Sequence, residues 1–141
     1  MRLIYSMLSI LLISSTQIAC SQQVQSEESS QTNSVAQNLT LSDFYTAVKD
    51  GDVQLVDVRR PEEFAGGHAV NSININFLGN DFDAQISEQL SKDKPVYLYC
   101  ASGNRSGKAM KALESLGFKE IYNLTGAGYK QWADAGYPIE N

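Results

Sequence analysis

Residues 96–110 read VYLYCASGNRSGKAM and contain the pattern that best indicates the class of fold. A short apolar run leads into a loop that contains Gly103, and a segment with helical periodicity follows. This order predicts a buried strand, a tight loop and a helix. Cys100 stands where the strand ends, and two interpretations of it are open: a small buried residue, or a nucleophile that faces the backbone N–H groups of the loop.

Strand and helix patterns alternate in the same way from Thr40 onward. The predicted strands are VQLVDVR (53–59), SININ (72–76), PVYLYC (95–100) and EIYNL (120–124). The predicted helices are TLSDFYTAVKDGD (40–52), PEEFAGG (61–67), DFDAQISEQLSKDK (81–94), RSGKAMKALESLGF (105–118) and GYKQWADAG (128–136), and YPIEN (137–141) leaves the last helix. This alternation predicts an α/β fold, with a mostly parallel central sheet and helices on both faces. Ligands of such sheets bind at the carboxyl ends of strands, where Cys100 stands.

Composition fits one globular domain. The chain has 141 residues, of which 43% are hydrophobic and 19% charged, values typical of a folded protein with a single core. The formal net charge of −5 argues against a general nucleic-acid-binding role, because proteins that bind nucleic acids carry basic surfaces.

The first twenty residues have the pattern of an export signal. Arg2 precedes an apolar run over residues 3–13, which is short for a membrane span of ~20 residues. The run is followed by SSTQIAC, which resembles a bacterial lipobox ending at Cys20, although Gln17 stands where leucine is usual. We therefore predict an exported protein of the cell envelope or periplasm, attached to a membrane through a lipid on Cys20. Ordinary signal cleavage and an uncleaved anchor are the alternatives.

These patterns divide the chain into three parts. Residues 1–19 are predicted to be a signal peptide, residues 20–38 a flexible tether, and residues 39–141 the folded domain. The tether is rich in Ser and Gln and lacks aromatic residues, so it cannot bury enough apolar surface to fold. Lipidation of Cys20 would leave Cys100 as an unpaired thiol, and the alternative is a disulfide between the two.

The loop after Cys100 suits a reactive thiol. A thiol attacks as the thiolate, and a helix N-terminus or nearby cations lower its pKa. Gly103 permits the positive φ that turns loop N–H groups inward, while Arg105, Lys108 and Lys111 make this region locally positive. The alternative for the two lysines is a solvated helix face.

Four segments, in the same order and spacing, resemble the rhodanese family of sulfurtransferases over about residues 39–139. They are LVDVRRPEEFAGGH, similar to a D-x-R segment followed by E-[FY]-x-x-G-H; SININ; the catalytic-loop-like YLYCASGNRS; and GYKQWADAGYPIE, similar to the family's closing signature. The chain departs from the family at AVNSI (69–73), a turn beside the site.

The resemblance implies a rhodanese-like fold and a persulfide mechanism. Cys100 would accept a sulfane sulfur, for example from thiosulfate, and pass it to a thiophilic acceptor. The residues implied to bind the sulfur or the donor are Ala101, Ser102, Gly103, Asn104, Arg105 and Arg59. The expected partners are a small sulfur-containing anion or a protein persulfide as donor, and a thiol as acceptor. The family needs neither a metal nor an organic cofactor.

Four other kinds of site are possible for these residues: a cysteine phosphatase, a binding or redox module, a Cys–His protease and a zinc site. Cysteine phosphatases place five residues between Cys and Arg, whereas four separate Cys100 from Arg105, and the shorter loop suits sulfur better than phosphate. A binding or redox module that uses the same loop is the main alternative. A Cys–His protease pair would require His68, which the resemblance makes a structural residue. Two cysteines and one histidine supply too few ligands for a structural zinc site.

Four further residues are expected to have structural roles. Asp57 and Arg59 are expected to form an ion pair beside the site, with Arg59 adding positive potential. Trp132, like Tyr129 three residues before it, is expected to belong to the core.

Overall fold

The computed structural model describes residues 34–141. The predicted signal peptide, Cys20 and most of the predicted tether lie outside these residues. The strands are β1 (Val35–Leu39), β2 (Gln54–Asp57), β3 (His68–Ala69), β4 (Ile73–Asn74), β5 (Val96–Tyr99), β6 (Glu120–Leu124) and β7 (Ile139–Glu140). The helices are α1 (Leu41–Val48), α2 (Pro61–Ala65), α3 (Phe82–Gln89), α4 (Asn104–Ser115) and α5 (Tyr129–Asp134).

Five strands form one parallel sheet. Their order is β1-β6-β5-β2-β4, and every neighbouring pair runs parallel. All four residues of β5 are buried, as expected for a strand covered on both faces. The predicted α/β fold with a parallel central sheet is confirmed.

Each face of the sheet is covered by its own apolar cluster. On one face, α3 and α4 pack on strand residues; the buried members include Phe82, Ile86, Ala109, Leu113, Val56, Leu98 and Ile121. On the other face, α1 and α5 pack around Phe44, Leu55, Tyr97, Leu124 and Trp132. The rings of Phe44 and Trp132 meet edge to face, with their centroids 6.3 Å apart. Trp132 is therefore a core residue, as predicted, and Tyr129 packs against the same cluster.

Local sequence explains where the helices begin and end. The Thr40 hydroxyl accepts a hydrogen bond from the Asp43 N–H and caps α1. Pro61 occupies the first turn of α2, where its missing N–H costs nothing. Gly117, with φ of +84°, follows α4 in the left-handed conformation that ends many helices. No helix within residues 34–141 has the length and apolar character needed to cross a membrane.

The folded region begins earlier than predicted. The tether was expected to extend to Asn38, but residues 35–39 pair in parallel with β6 from Val35 opposite Glu120 to Leu39 opposite Leu124. β1 lies at the edge of the sheet and none of its five residues is fully buried, so the segment lacks the continuous apolar run or strict alternation that marks a strand in a sequence. The Asn123 side-chain amide donates a hydrogen bond to Asn38 Oδ1 at 2.7 Å and adds a side-chain link to this pairing.

The chain end also differs from the prediction. YPIEN was expected simply to leave the last helix, but β7 within it pairs antiparallel with β3, with Ala69 opposite Ile139. Each strand has only two residues, so neither shows an alternating pattern in the sequence.

Candidate active site

The loop between β5 and α4 places Cys100 at the carboxyl edge of the sheet. Gly103 has φ of +85°, a conformation that a residue with a side chain adopts only with strain. A Cβ at Gly103 would also lie 2.9 Å from the Leu124 carbonyl oxygen. The loop therefore turns tightly against the end of β6 and leads directly into α4, whose first residue is Asn104.

The Cys100 sulfur receives hydrogen bonds from both the loop and the helix. The Gly103 N–H donates to Sγ at 3.2 Å, and the Ser106 hydroxyl donates to it at 3.5 Å. Cys100 is a free cysteine and only 1% of its surface is exposed. A buried thiolate is therefore held by donors on one side, as a nucleophilic sulfur requires.

These donors outweigh the effect of burial on the thiol. Burial acts to raise the pKa of Cys100, but the Ser106 hydroxyl and the backbone N–H groups of Ser102, Ser106 and Gly103 lower it, and the net shift is downward. The sulfur is thus more readily ionised than an ordinary cysteine.

The start of α5 packs directly on the Cys100 loop. The Tyr129 N–H donates a hydrogen bond to the Cys100 carbonyl oxygen at 2.9 Å. A Cβ at Gly128 would lie 2.1 Å from the Ala101 carbonyl oxygen, so only glycine allows this approach. The closing segment of the sequence therefore fixes the backbone around Cys100.

Arg105 is paired with a carboxylate from α2. Its guanidinium donates to both oxygens of Glu63, with Nη1–Oε2 at 2.7 Å and Nη2–Oε1 at 2.9 Å. The hydrogen bonds from Arg105 are the largest of the effects that lower the pKa of Glu63 to about 2. Glu63 also accepts a hydrogen bond from the Arg60 N–H and so holds the start of α2 in place. The positive charge predicted at Arg105 is therefore balanced.

The ion pair expected between Asp57 and Arg59 is present and buried. Arg59 Nη2 lies 2.6 Å from Asp57 Oδ2 and donates a second hydrogen bond to the Gly67 carbonyl oxygen at 2.7 Å. Its guanidinium also lies 4.1 Å from the centre of the Tyr129 ring. Arg59 is 4% exposed, and these contacts fix the segment beside the site. Its role in binding a substrate stays a prediction.

His68 makes the contacts of a structural residue. Its Nδ1 lies 3.0 Å from the Phe64 carbonyl oxygen, and its ring stacks on the Phe64 ring with centroids 3.6 Å apart. Its Nε2 lies 3.5 Å from Glu140 Oε1, on the strand that pairs with β3.

The structure groups the predicted loop residues around Cys100 and adds two that the sequence analysis did not assign to the site. Residues 101–105 form the loop beside the sulfur and the start of α4, and the exposed side chains among them, Ala101, Ser102 and Asn104, are uncharged. Ser106 was expected only to begin the helix, although its position in the first turn after the loop was a signal that its hydroxyl faces the sulfur. Glu63 lay inside the quoted E-F-x-x-G-H segment, but nothing in the sequence linked it to Arg105.

Comparisons with known proteins agree with this geometry. A family model described as Rhodanese-like domain matches residues 40–135. The uncharacterized protein YqhL of Bacillus subtilis is 47% identical over 79 residues, which are 56% of this chain and 60% of YqhL. Thiosulfate sulfurtransferase GlpE of Vibrio cholerae is 38% identical over 86 residues, which are 61% of this chain and 77% of GlpE. The chain thus spans less than two thirds of the length of YqhL.

Solved structures show the same fold. The solution structure of a rhodanese-like domain from Anabaena superposes with a TM-score of 0.65 at 24% identity, covering 74% of this chain and 78% of that one.

Proposed function

Since the chain belongs to the rhodanese-like domain family, we propose that it is a sulfurtransferase whose Cys100 carries the transferred sulfur as a persulfide. The observation that carries this proposal is the pair of donors on Sγ, the Gly103 N–H at 3.2 Å and the Ser106 hydroxyl at 3.5 Å. They stabilise negative charge on a buried sulfur, and both the free thiolate and the persulfide anion carry such a charge.

The proposed reaction has two displacement steps. The Cys100 thiolate attacks the sulfane sulfur of a donor such as thiosulfate, a new S–S bond forms, and sulfite leaves with the electron pair of the broken bond. A thiophilic acceptor then attacks the outer sulfur of the persulfide, and the Cys100 thiolate leaves. The loop N–H groups hold negative charge on sulfur in both steps, and neither step needs a metal or an organic cofactor.

Mass spectrometry of the full-length chain after incubation with thiosulfate tests the proposal. We expect a mass increase of one sulfur atom on Cys100, and thiocyanate formation when cyanide is added. Cys100→Ser should abolish both signals, whereas Cys20→Ser, which alters the other cysteine of the chain, should leave them unchanged. Absence of a persulfide with several sulfane-sulfur donors would contradict the proposal and favour a module that uses the loop only for binding.

We also propose that the protein acts in the cell envelope. The support is the signal-like pattern of residues 1–19 and the lipobox-like end at Cys20, residues that precede the described part of the chain. A lipid on Cys20 would attach the domain to a membrane, where it would meet small sulfur-containing anions, protein persulfides and thiol acceptors.

A further inference from the structure

Both arginines of the proposed active site are held in ion pairs. Arg105 is bound by Glu63 through two hydrogen bonds of 2.7 and 2.9 Å, and Arg59 is bound by Asp57 at 2.6 Å. The two arginines assigned to substrate binding from the sequence therefore carry no net charge together with their partners. The donors that face the sulfur itself are a neutral N–H and a neutral hydroxyl.

The Arg105–Glu63 pair lies close enough to Cys100 to affect what binds there. Hydrogen bonding to Glu63 is the largest effect that raises the pKa of Arg105, and the charge of Cys100 contributes to the same shift. Arg105 also directly precedes Ser106, whose hydroxyl lies 3.5 Å from Sγ, and two N–H groups of the Arg105 guanidinium are directed at Glu63. The side chains are only 22% and 31% exposed, so solvent screens the pair incompletely.

This arrangement disfavours a donor with two negative charges. A doubly charged anion next to an ionised thiol needs a cation to offset the repulsion, and Arg105 offers it only if the anion competes with Glu63. A donor with a single negative charge, such as the persulfide of a thiol, meets less repulsion. The exposed side chains at the loop are Ala101, Ser102 and Asn104, and none of them is charged, so the loop offers a doubly charged anion no further cation.

We propose that Glu63 is a specificity-determining residue that occupies Arg105 and thereby directs the site toward singly charged sulfane-sulfur donors, thiol persulfides above all. This inference rests on the proposed sulfurtransferase function. In the corresponding step the Cys100 thiolate attacks the outer sulfur of the persulfide anion R–S–S⁻, a new S–S bond forms, the R–S bond to the outer sulfur breaks, and R–S⁻ leaves with its electron pair. The Cys100 sulfur is oxidised as far as the donor's inner sulfur is reduced, so no external oxidant is needed.

Two donors of similar shape and different charge test the inference. Thiosulfate is a dianion, whereas methanethiosulfonate has a methyl group in place of one charged oxygen and is a monoanion. Values of kcat/KM for both donors are measured on the full chain with cyanide as acceptor. In Glu63→Gln we expect the ratio of the kcat/KM for thiosulfate to that for methanethiosulfonate to rise roughly tenfold, mainly through a lower KM for thiosulfate. The reason is that Arg105, released from Glu63, can then form one charge-assisted hydrogen bond with the dianion. Glu62→Gln, a change on the same helix, should leave the ratio unchanged.

A double variant shows whether the effect passes through Arg105. Glu63→Gln combined with Arg105→Gln replaces the ion pair with a neutral pair, and the ratio should return to within about twofold of the wild-type value, since additive charge effects cancel. If Glu63→Gln alone melts below the assay temperature, Arg105→Gln supplies the test: it leaves the Glu63 carboxylate without its partner, so the ratio of thiosulfate to methanethiosulfonate activity should fall, and an unchanged ratio overturns the inference.

The outcomes separate the inference from the proposed function. An unchanged ratio in Glu63→Gln, or a raised ratio that persists in the double variant, overturns the inference while leaving sulfur transfer intact. If neither donor places a sulfur on Cys100 in the wild-type chain, the proposed function fails and the inference fails with it.

Discussion

At the scale of single residues, the reactivity of Cys100 depends on two opposing effects on its pKa, burial and hydrogen bonding. Burial alone would keep the thiol protonated and inert, and the Ser106 hydroxyl is the largest of the opposing effects that lower its pKa. The hydroxyl reaches the sulfur because α4 begins immediately after the loop and presents its first turn to Cys100.

Replacing Ser106 with alanine should therefore raise the pKa of Cys100. The rate of alkylation by iodoacetamide follows the thiolate fraction, so the midpoint of its pH dependence should move to higher pH. We propose measuring it in a Cys20→Ser background, so that only Cys100 reacts.

Ser102→Ala is the matched control for this prediction. Ser102 contributes through its backbone N–H and its side chain is exposed, so its midpoint should stay at the parent value. A Ser106→Ala midpoint equal to that of the parent would show that the hydroxyl does not stabilise the thiolate.

At the scale of elements, the site is built where two helices meet one strand. The loop after β5 is held by α4 on one side and by the start of α5 on the other, with Tyr129 N–H bound to the Cys100 carbonyl oxygen at 2.9 Å. Gly128 makes this contact possible, because the Cβ of any other residue would clash with the Ala101 carbonyl oxygen.

Gly128→Ala should lower the free energy of unfolding by about 1–3 kcal/mol, the usual cost of inserting a methyl group where there is no space. Persulfide formation on Cys100 should fall as well, since the loop must shift. Gly107→Ala is the control in α4: its Cβ would make an ordinary contact of 3.5 Å with Asn123, and better helix propensity should add about 0.5–1 kcal/mol. Equal stabilities for the two variants in urea titrations would refute the role assigned to Gly128.

Local elements could be predicted from the sequence and long-range contacts could not. The strand, loop and helix around Cys100 follow one another in the chain, so local patterns were enough to place them. Glu63 and Arg105 are 42 positions apart, and no local pattern brings them together. The same holds for β1 and β7, whose few residues become strands only through pairing with β6 and β3.

At the scale of the whole molecule, the proposed attachment concerns a part of the chain that precedes the fold. If Cys20 carries the lipid, Cys20→Ser should move the protein from the membrane to the soluble fraction of its cells and abolish incorporation of a labelled fatty acid. Cys100→Ser should keep both properties. Labelling that survives in Cys20→Ser would exclude Cys20 as the acceptor.

The parallel arrangement of the sheet has a consequence for how the molecule can be mounted. Val35 begins β1 beside the start of β6, whereas Cys100 follows the last residue of β5. The start of β1 therefore lies at the amino end of the strands and the thiol at their carboxyl end, separated along the strands by roughly 15 Å for strands of this length. Val35, where any upstream segment joins the domain, therefore lies at the amino end of the sheet, remote from the thiol.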